Sequence, residues 1–171
     1  MRRTLLKFEN IQQVVGSDDI AVILLTDEHR QRALSIVCDE TMTRQILLRL
    51  QSPQNCKLML PDEYEMTIYG IHDGQYQVVM VDKNFERSVR MRMSDAVLLN
   101  IISECPLYIE EQLMRQQSVP FDENARGVAI PINTMEVRRL NMALQRAIDN
   151  ENYELASQLR DEIKRRKSPT E

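Results

Sequence analysis

The stretch YEMTIYGIHDGQYQVVMVD, residues 64–82, decides the fold class of this chain. β-Branched and aromatic residues are interleaved with polar ones on both sides of Asp73-Gly74, a dipeptide that readily adopts the positive φ angles of a tight hairpin turn. The stretch therefore predicts two antiparallel strands, at residues 64–71 and 75–82. These two strands are the starting point of a sheet.

The segments on either side of this hairpin predict more strands and a few helices. Apolar runs and alternation indicate strands at residues 3–9, 20–26, 33–38, 85–92 and 107–109. Helical spacing of apolar residues indicates helices at residues 41–51, 95–104 and 110–116. Ser94 is the predicted N-cap of the second helix, which is apolar on most of its surface and is expected to be buried. Because strands and helices do not alternate strictly, the sequence predicts an α+β domain with a mixed or antiparallel sheet.

The C-terminal part of the chain predicts a pair of helices. Thr134 is the expected N-cap of the first, which runs to about Ile148. Residues 149–152, DNEN, form a polar turn, and the second helix runs from Tyr153 to about Arg166. Two helices joined by so short a loop pack against each other as an antiparallel hairpin.

These segments divide the chain into three parts. We expect an α+β domain at residues 1–118, a linker at 119–132 and the helical hairpin at 133–167. The linker has Pro, Gly and polar residues without periodicity. The Arg/Lys run at 164–167 is expected to be a solvated helix end, where positive charge interacts favourably with the helix dipole.

Composition and charge restrict the class of protein. A hydrophobic content of 43% and a charged content of 28% are typical of a globular protein rather than a disordered one. No run approaches the roughly 20 apolar residues that span a bilayer, and the first residues do not resemble a signal peptide. Cys38, Cys56 and Cys105 show no paired spacing, which favours reduced thiols and a cytoplasmic location. The net charge of −4 counts against a dedicated nucleic-acid-binding protein.

The predicted hairpin carries a specific pattern of residues. The pattern consists of Leu140, Ala143 and Ala147, then Glu151, Tyr153, Glu154 and Ala156, then Leu159-Arg160-Asp161-Glu162-Ile163. It resembles the UVR motif shared by UvrB and UvrC, in which the hairpin is a protein–protein module that associates through an aromatic–Glu region. The resemblance implies a partner-binding surface made of Tyr153, Glu154, Leu159, Arg160 and Ile163. The alternative is an ordinary helical tail that packs only within its own chain.

Residues 1–118 also carry a series of family-like segments. They are HDGQYQVVM at 72–80, Arg92-Met93-Ser94-Asp95-Ala96, and Cys105-Pro106-Leu107-Tyr108-Ile109 followed by Glu110-Glu111. Their order is similar to that of the bifunctional nuclease family, which degrades DNA and RNA and also occurs fused to a UVR hairpin. The chain departs from the family at two polar positions. Met42 stands where the family has a Glu, and residues 51–63 contain no counterpart of a family His.

The nuclease resemblance implies metal-assisted phosphodiester hydrolysis. Asp95, Glu110 and Glu111 would then hold Mg²⁺ or another divalent metal, and Arg92, Ser94 and Asp95 would be the catalytic residues. A simpler interpretation gives Ser94 and Asp95 the role of capping a buried helix, with Arg92 paired to Asp95.

Two hypotheses for function follow from these resemblances. The first is a nuclease-family protein that acts on DNA or RNA and recruits a protein partner through its UVR hairpin. The second is a non-catalytic adaptor or oligomerising protein whose hairpin recruits a DNA-repair or protein-quality-control partner. A lone two-helix hairpin buries little area, so we also expect a homo-oligomer, with a dimer favoured.

Overall fold

The computed structural model describes residues 2–13, 20–51, 60, 63–84, 87–124 and 130–167. Within these residues there are eight strands: β1 (Arg3–Gln13), β2 (Ile20–Asp27), β3 (Arg32–Asp39), β4 (Tyr64–His72), β5 (Gln75–Asp82), β6 (Arg87–Arg92), β7 (Leu107–Glu110) and β8 (Val119–Pro120). The helices are α1 (Glu40–Gln51), α2 (Met93–Ser103), α3 (Glu111–Gln117), α4 (Val137–Asp149) and α5 (Tyr153–Lys167). The predicted α+β class with a C-terminal helical hairpin is therefore confirmed.

All eight strands belong to one sheet, in the order β6-β5-β4-β7-β1-β2-β3-β8. The predicted hairpin around Asp73-Gly74 is confirmed, with Tyr64 opposite Asp82 and His72 opposite Gln75. The second predicted hairpin, β2 with β3, is also antiparallel. β7 joins the two hairpin units because it lies between β4, to which it is parallel, and β1, to which it is antiparallel. The sheet is therefore mixed, as predicted.

One face of the sheet is covered by helices. Inward side chains of the strands form a single core with residues of α1, α2 and α3, and the fully buried members include Leu6, Ile23, Leu34, Ile46, Met66, Ile68, Val97, Leu107 and Ile109. Cys38 and Cys105 are buried in or beside this core as thiols, and burial raises the pKa of Cys38 to about 11. Cys56 lies outside the described residues. None of the helices in the described parts of the chain is long and apolar enough to cross a membrane.

Helix α2 differs from its prediction in two respects. It begins at Met93 with Arg92 in the N-cap position and no side-chain cap, so the prediction that Ser94 caps it was wrong. The physical reason is that β6 continues to Arg92, so the turn into the helix occurs before Ser94. The predicted burial was also wrong, because Met93, Ala96 and Val97 are the buried residues and the other apolar side chains of α2 stay partly exposed.

The predicted linker begins with a short strand. Val119–Pro120, β8, pairs with the start of β3. The Arg32 guanidinium donates to the Ser118 carbonyl at 2.5 Å and to the Ser118 hydroxyl at 2.6 Å. The chain therefore remains attached to the sheet up to Pro120 before it leads toward the hairpin.

Candidate functional site: the C-terminal hairpin

Helices α4 and α5 pack against each other around their own small core. The core residues are Leu140 and Ala147 of α4 and Ala156, Leu159 and Ile163 of α5. The alanines keep the interhelical distance short, and the leucines and isoleucine fill the seam between the helices. This core is separate from that of the sheet, so the hairpin is a distinct structural unit within the chain.

The turn between the helices is built by Asn152. Its side-chain oxygen accepts from the Leu155 N–H at 3.1 Å, and its own N–H donates to the Ala147 carbonyl at 2.8 Å. Asn152 therefore ends one helix and caps the next, because Asn is among the residues best suited to an N-cap. Glu151 before it adopts φ 55, which lets the chain reverse in four residues. The predicted polar turn is confirmed.

The end of the hairpin at this turn, residues 148–155, exposes apolar side chains. Tyr153 is 69% exposed. Ile148, five residues before it, and Leu155, two residues after it, are also exposed. Large apolar groups that a fold leaves in water contribute nothing to its core and mark interaction surfaces when they cluster. We call residues 148–155 the hairpin tip.

The predicted partner-binding residues fall into two groups. Tyr153, Glu154 and Arg160 are exposed and open to a partner. Leu159 and Ile163 are buried in the hairpin core. These two side chains therefore hold the two helices together, and the accessible part of the predicted surface is at and near the tip.

The opposite end of the hairpin, which we call the hairpin base, is held by Arg166. Its side chain is only 4% exposed. The guanidinium donates to the carbonyls of Met135 and Asn133, the latter at 3.0 Å, and to Glu162 at 2.7 Å. Arginine suits this position because its planar fork presents five N–H donors to several acceptors at once. The prediction that residues 164–167 are a solvated end was wrong for Arg166, since its two carbonyl acceptors lie about thirty residues earlier, in a segment that local sequence does not relate to it.

Thr134 has a different role from the one predicted. It ends a 3-10 turn, Ile132–Thr134, and its hydroxyl donates to the Pro131 carbonyl at 2.8 Å. Helix α4 begins later, with Glu136 in the N-cap position and no side-chain cap. The prediction that Thr134 caps the helix was wrong because this extra turn is inserted between the linker and α4.

The hairpin base meets the α+β domain at the β4–β5 turn. A Cβ atom placed on Gly74 would lie 2.7 Å from Nη1 of Arg166 and 2.7 Å from the carbonyl oxygen of Met135. The turn therefore approaches the hairpin as closely as a residue without a side chain allows. The pKa of Arg165 is raised mainly by its hydrogen bond to Glu162. The negative charge of Asp73, which precedes Gly74, raises it further. The hairpin is thus anchored at its base, at the opposite end from the exposed tip.

Glu162 at the base is expected to make the stability of the protein depend on pH. Ion pairs with Arg165 and Arg166 hold the pKa of this carboxyl below its usual range, although burial opposes the shift. Because folding lowers the pKa, the stabilisation is complete above the ordinary glutamate pKa of about 4.3 and is lost as the pH falls through the lowered value. Urea unfolding between about pH 6 and pH 3 should show a smaller loss of stability in Glu162→Gln than in the wild type. Equal losses in the two proteins would contradict this assignment.

The second predicted site, at the start of α2, is only partly assembled. Arg92 and Asp95 form a bidentate ion pair, at 2.9 and 3.0 Å, on the protein surface. This pair is the contact that the simpler interpretation predicts. The hydrogen bonds to Asp95 and the negative charge of that carboxylate raise the pKa of Arg92. Arg92 and Ser94 also line a cleft of about 250 Å³ between the α+β domain and the start of α4. Glu136, in the N-cap position, and Arg139 of α4 line its other side.

The predicted metal ligands do not gather around this pair. Glu110 ends β7, whereas Arg92 ends β6, and β5 and β4 lie between those two strands. Three strand spacings, about 14 Å between backbones, therefore separate Glu110 from Arg92. Glu111 forms an ion pair with Arg115 instead. Within the described ranges, no group of three or more His, Cys, Asp or Glu side chains is placed to hold a metal ion.

Comparison with known families finds a match for the hairpin. Residues 136–167 match the family model described as the UvrB/uvrC motif. The match covers α4, α5 and the N-cap residue Glu136. The predicted resemblance to the UVR motif, and its position in the chain, are therefore confirmed. No curated protein matches the chain. The resemblance of residues 1–118 to the bifunctional nuclease family gains no support from these matches and stays a prediction. The chain therefore carries, at residues 136–167, a helical hairpin that matches the UvrB/uvrC motif.

Proposed function

We propose that this protein is a non-catalytic adaptor that binds a protein partner through the hairpin tip. The observation that carries the proposal is the exposure of Tyr153, an aromatic residue that is 69% accessible at the end of an otherwise well-packed hairpin. Aromatic side chains supply large contact areas at low entropic cost and are enriched among the residues that dominate binding. Ile148 and Leu155 are further exposed apolar residues of the tip.

The charge of the tip indicates the chemistry of the partner. Residues 148–155 contain Asp149, Glu151 and Glu154, all exposed, and no Lys or Arg. An apolar centre with an acidic rim is complementary to an apolar pocket bordered by basic residues. It disfavours a second copy of the same tip, because carboxylates would then face carboxylates. The partner we propose is a DNA-repair or protein-quality-control protein that presents such a basic pocket, as the similarity to the UvrB/uvrC motif suggests.

The anchored base supports this role for the tip. A surface held on a rigid support loses less conformational entropy on binding than one on a mobile tail. Arg166 holds α5 to the segment before α4, and Gly74 of the α+β domain closely approaches both Arg166 and Met135. The α+β domain thus serves as a platform that presents the tip.

Tyr153→Ala is the direct test. We expect this variant to bind its partner at least about tenfold more weakly, since exposed aromatic anchors typically contribute more than 1.4 kcal/mol. Folding should be unaffected because the side chain is in water. The measurement is capture of cellular partners on the immobilised full chain, followed by titration of each captured protein. Glu154→Ala tests the acidic rim in the same way, and Met142→Ala, an apolar residue of α4 that is 52% exposed but outside the tip, is the matched control.

The outcomes separate the adaptor from an ordinary helical tail. Loss of a captured protein in both tip variants, with retention in the Met142 control, supports the proposal. If Tyr153→Ala and Glu154→Ala retain every partner that the wild type captures, the tip is not the binding surface.

Phosphodiester hydrolysis is a weaker second candidate. The cleft beside Arg92 and Ser94 favours it, whereas the engagement of Asp95 with Arg92 leaves that carboxylate less available to a metal ion. The adaptor function requires neither of these residues.

A further inference from the structure

Helices α1 and α2 leave an unusual amount of apolar side chain in water. They pack against each other and against the same core of the sheet. On α1, Leu48 is 50% exposed, and Leu47 and Leu50 are exposed as well. Leu47 and Leu50 lie three positions apart and are therefore neighbours on the helix surface, and Leu48 is adjacent to Leu47 in sequence. We call the outward side of the two helices the α1–α2 face.

Helix α2 contributes to the same face. Its sequence from Ala96 to Ile102 is AVLLNII, which is apolar except at Asn100. A helix of this kind is normally covered on every side. In the described chain only Met93, Ala96 and Val97 are buried, and the partly exposed aliphatic residues are Leu98, Leu99, Ile101 and Ile102. Leu98, Leu99 and Ile101 also pack against the core of the sheet, so these apolar side chains are covered on one side only.

The charged side chains of α1 and α2 have partners within the chain, including Arg49, which lies between Leu48 and Leu50. Glu40 and Arg44 of α1 form an ion pair at 2.7 Å. The charged residue of α2, Asp95, is paired with Arg92. A neutral apolar surface does not attract nucleic acid, which requires a basic one. An identical surface is a suitable partner, since the charges that each copy brings to the interface already have partners within its own chain.

We infer that a second copy of this chain packs on the α1–α2 face, so that two two-helix layers meet across a two-fold axis. Two such layers form a four-helix arrangement between two sheets, with apolar residues filling the grooves. A standard interface needs about 800 Å² per partner, of which somewhat more than half is apolar. Seven aliphatic side chains with partial to half exposure supply a few hundred Å², the scale at which an exposed patch marks an interaction site. The area is thus of the order that a modest homodimer requires.

The mass of the protein in solution tests this inference. At micromolar concentration the wild type should have twice the chain mass of 20.0 kDa, measured by light scattering after size exclusion. Leu48→Glu should weaken dimerisation at least about 100-fold and give the monomer mass, because a two-fold interface contains each introduced charge twice. Leu50→Glu should act in the same way. Met142→Glu places the same change on an equally exposed apolar residue of the hairpin and should leave the dimer intact.

Two results would overturn the inference. One is a wild-type protein that is monomeric throughout the micromolar range. The other is a dimer that persists in both Leu48→Glu and Leu50→Glu, which would place the contact elsewhere. Far-ultraviolet circular dichroism and urea unfolding of the diluted variants establish that they are folded monomers. Tyr153→Ala should still dimerise, so failure of this inference and failure of the adaptor proposal give different patterns.

Discussion

Gly74→Ala is expected to lower the free energy of unfolding by about 3 kcal/mol and to release the hairpin from the α+β domain. Gly74 has φ 79, a backbone conformation that L side chains rarely adopt. An alanine there costs about 1–2 kcal/mol in backbone strain alone. Its Cβ would also lie 2.7 Å from the Met135 carbonyl oxygen, and a backbone atom of the anchored segment has no alternative rotamer to escape into. Relief requires the hairpin base to move away from the turn.

Gly70→Ala is the matched control for this prediction. Gly70 lies in the neighbouring strand, no atom comes within 4 Å of a Cβ placed on it, and its φ is not positive. The same substitution should therefore change stability by no more than about 1 kcal/mol. Urea unfolding measures both variants, and hydrogen exchange of the α5 amides reports release of the hairpin. Equal stability of Gly74→Ala and Gly70→Ala would show that the close approach at the β4–β5 turn does not constrain the fold.

Arg166→Met is expected to destabilise the protein by about 3–4 kcal/mol, the cost of removing one partner from a buried, hydrogen-bonded charge pair. Methionine fills part of the space with an unbranched apolar chain but donates no hydrogen bond. The carbonyls of Asn133 and Met135 then lose their donors, and Glu162 keeps only its pairing with Arg165. The stability of Arg166→Lys should lie between that of the wild type and that of Arg166→Met. A lysine ammonium keeps the positive charge but lacks the planar fork that reaches several acceptors at once.

The adjacent arginine provides an internal comparison for this prediction. Arg165 pairs with the same carboxylate at 2.7 Å but is 67% exposed. Its replacement by methionine should cost no more than about 1 kcal/mol, as exposed ion pairs usually do. The two variants are compared by urea unfolding under identical conditions. If Arg165→Met and Arg166→Met lose the same stability, burial of Arg166 is not what anchors the hairpin base.

Several features were predictable because their signals are local. Asp73-Gly74 predicts a tight turn from the backbone preferences of two residues, and the structure has the turn there. The DNEN turn and the apolar stripes of α4 and α5 likewise predict the hairpin from residues next to one another. The UVR pattern is local in the same sense, since it lies within one pair of helices.

The incorrect predictions share a physical cause. Ser94 and Thr134 are good N-cap residues by type, but a cap is decided by where the preceding segment ends. β6 continues to Arg92, and a 3-10 turn precedes α4, so both helices begin at other residues. Arg166 was expected in solvent because basic residues at a helix end usually are. Its burial depends on a segment about thirty residues earlier and on a turn in the sheet.

The sequence by itself determined the α+β class, most of the elements and the UVR hairpin, because hydrophobic periodicity, turn residues and motif spacing are properties of neighbouring residues. Only the tertiary structure decided which end of the hairpin is held and which is offered to a partner. That distinction depends on contacts between residues far apart in the chain, Gly74 with Met135 and Arg166. The same holds for the α1–α2 face. Which of its side chains are exposed depends on how the two helices pack against the sheet.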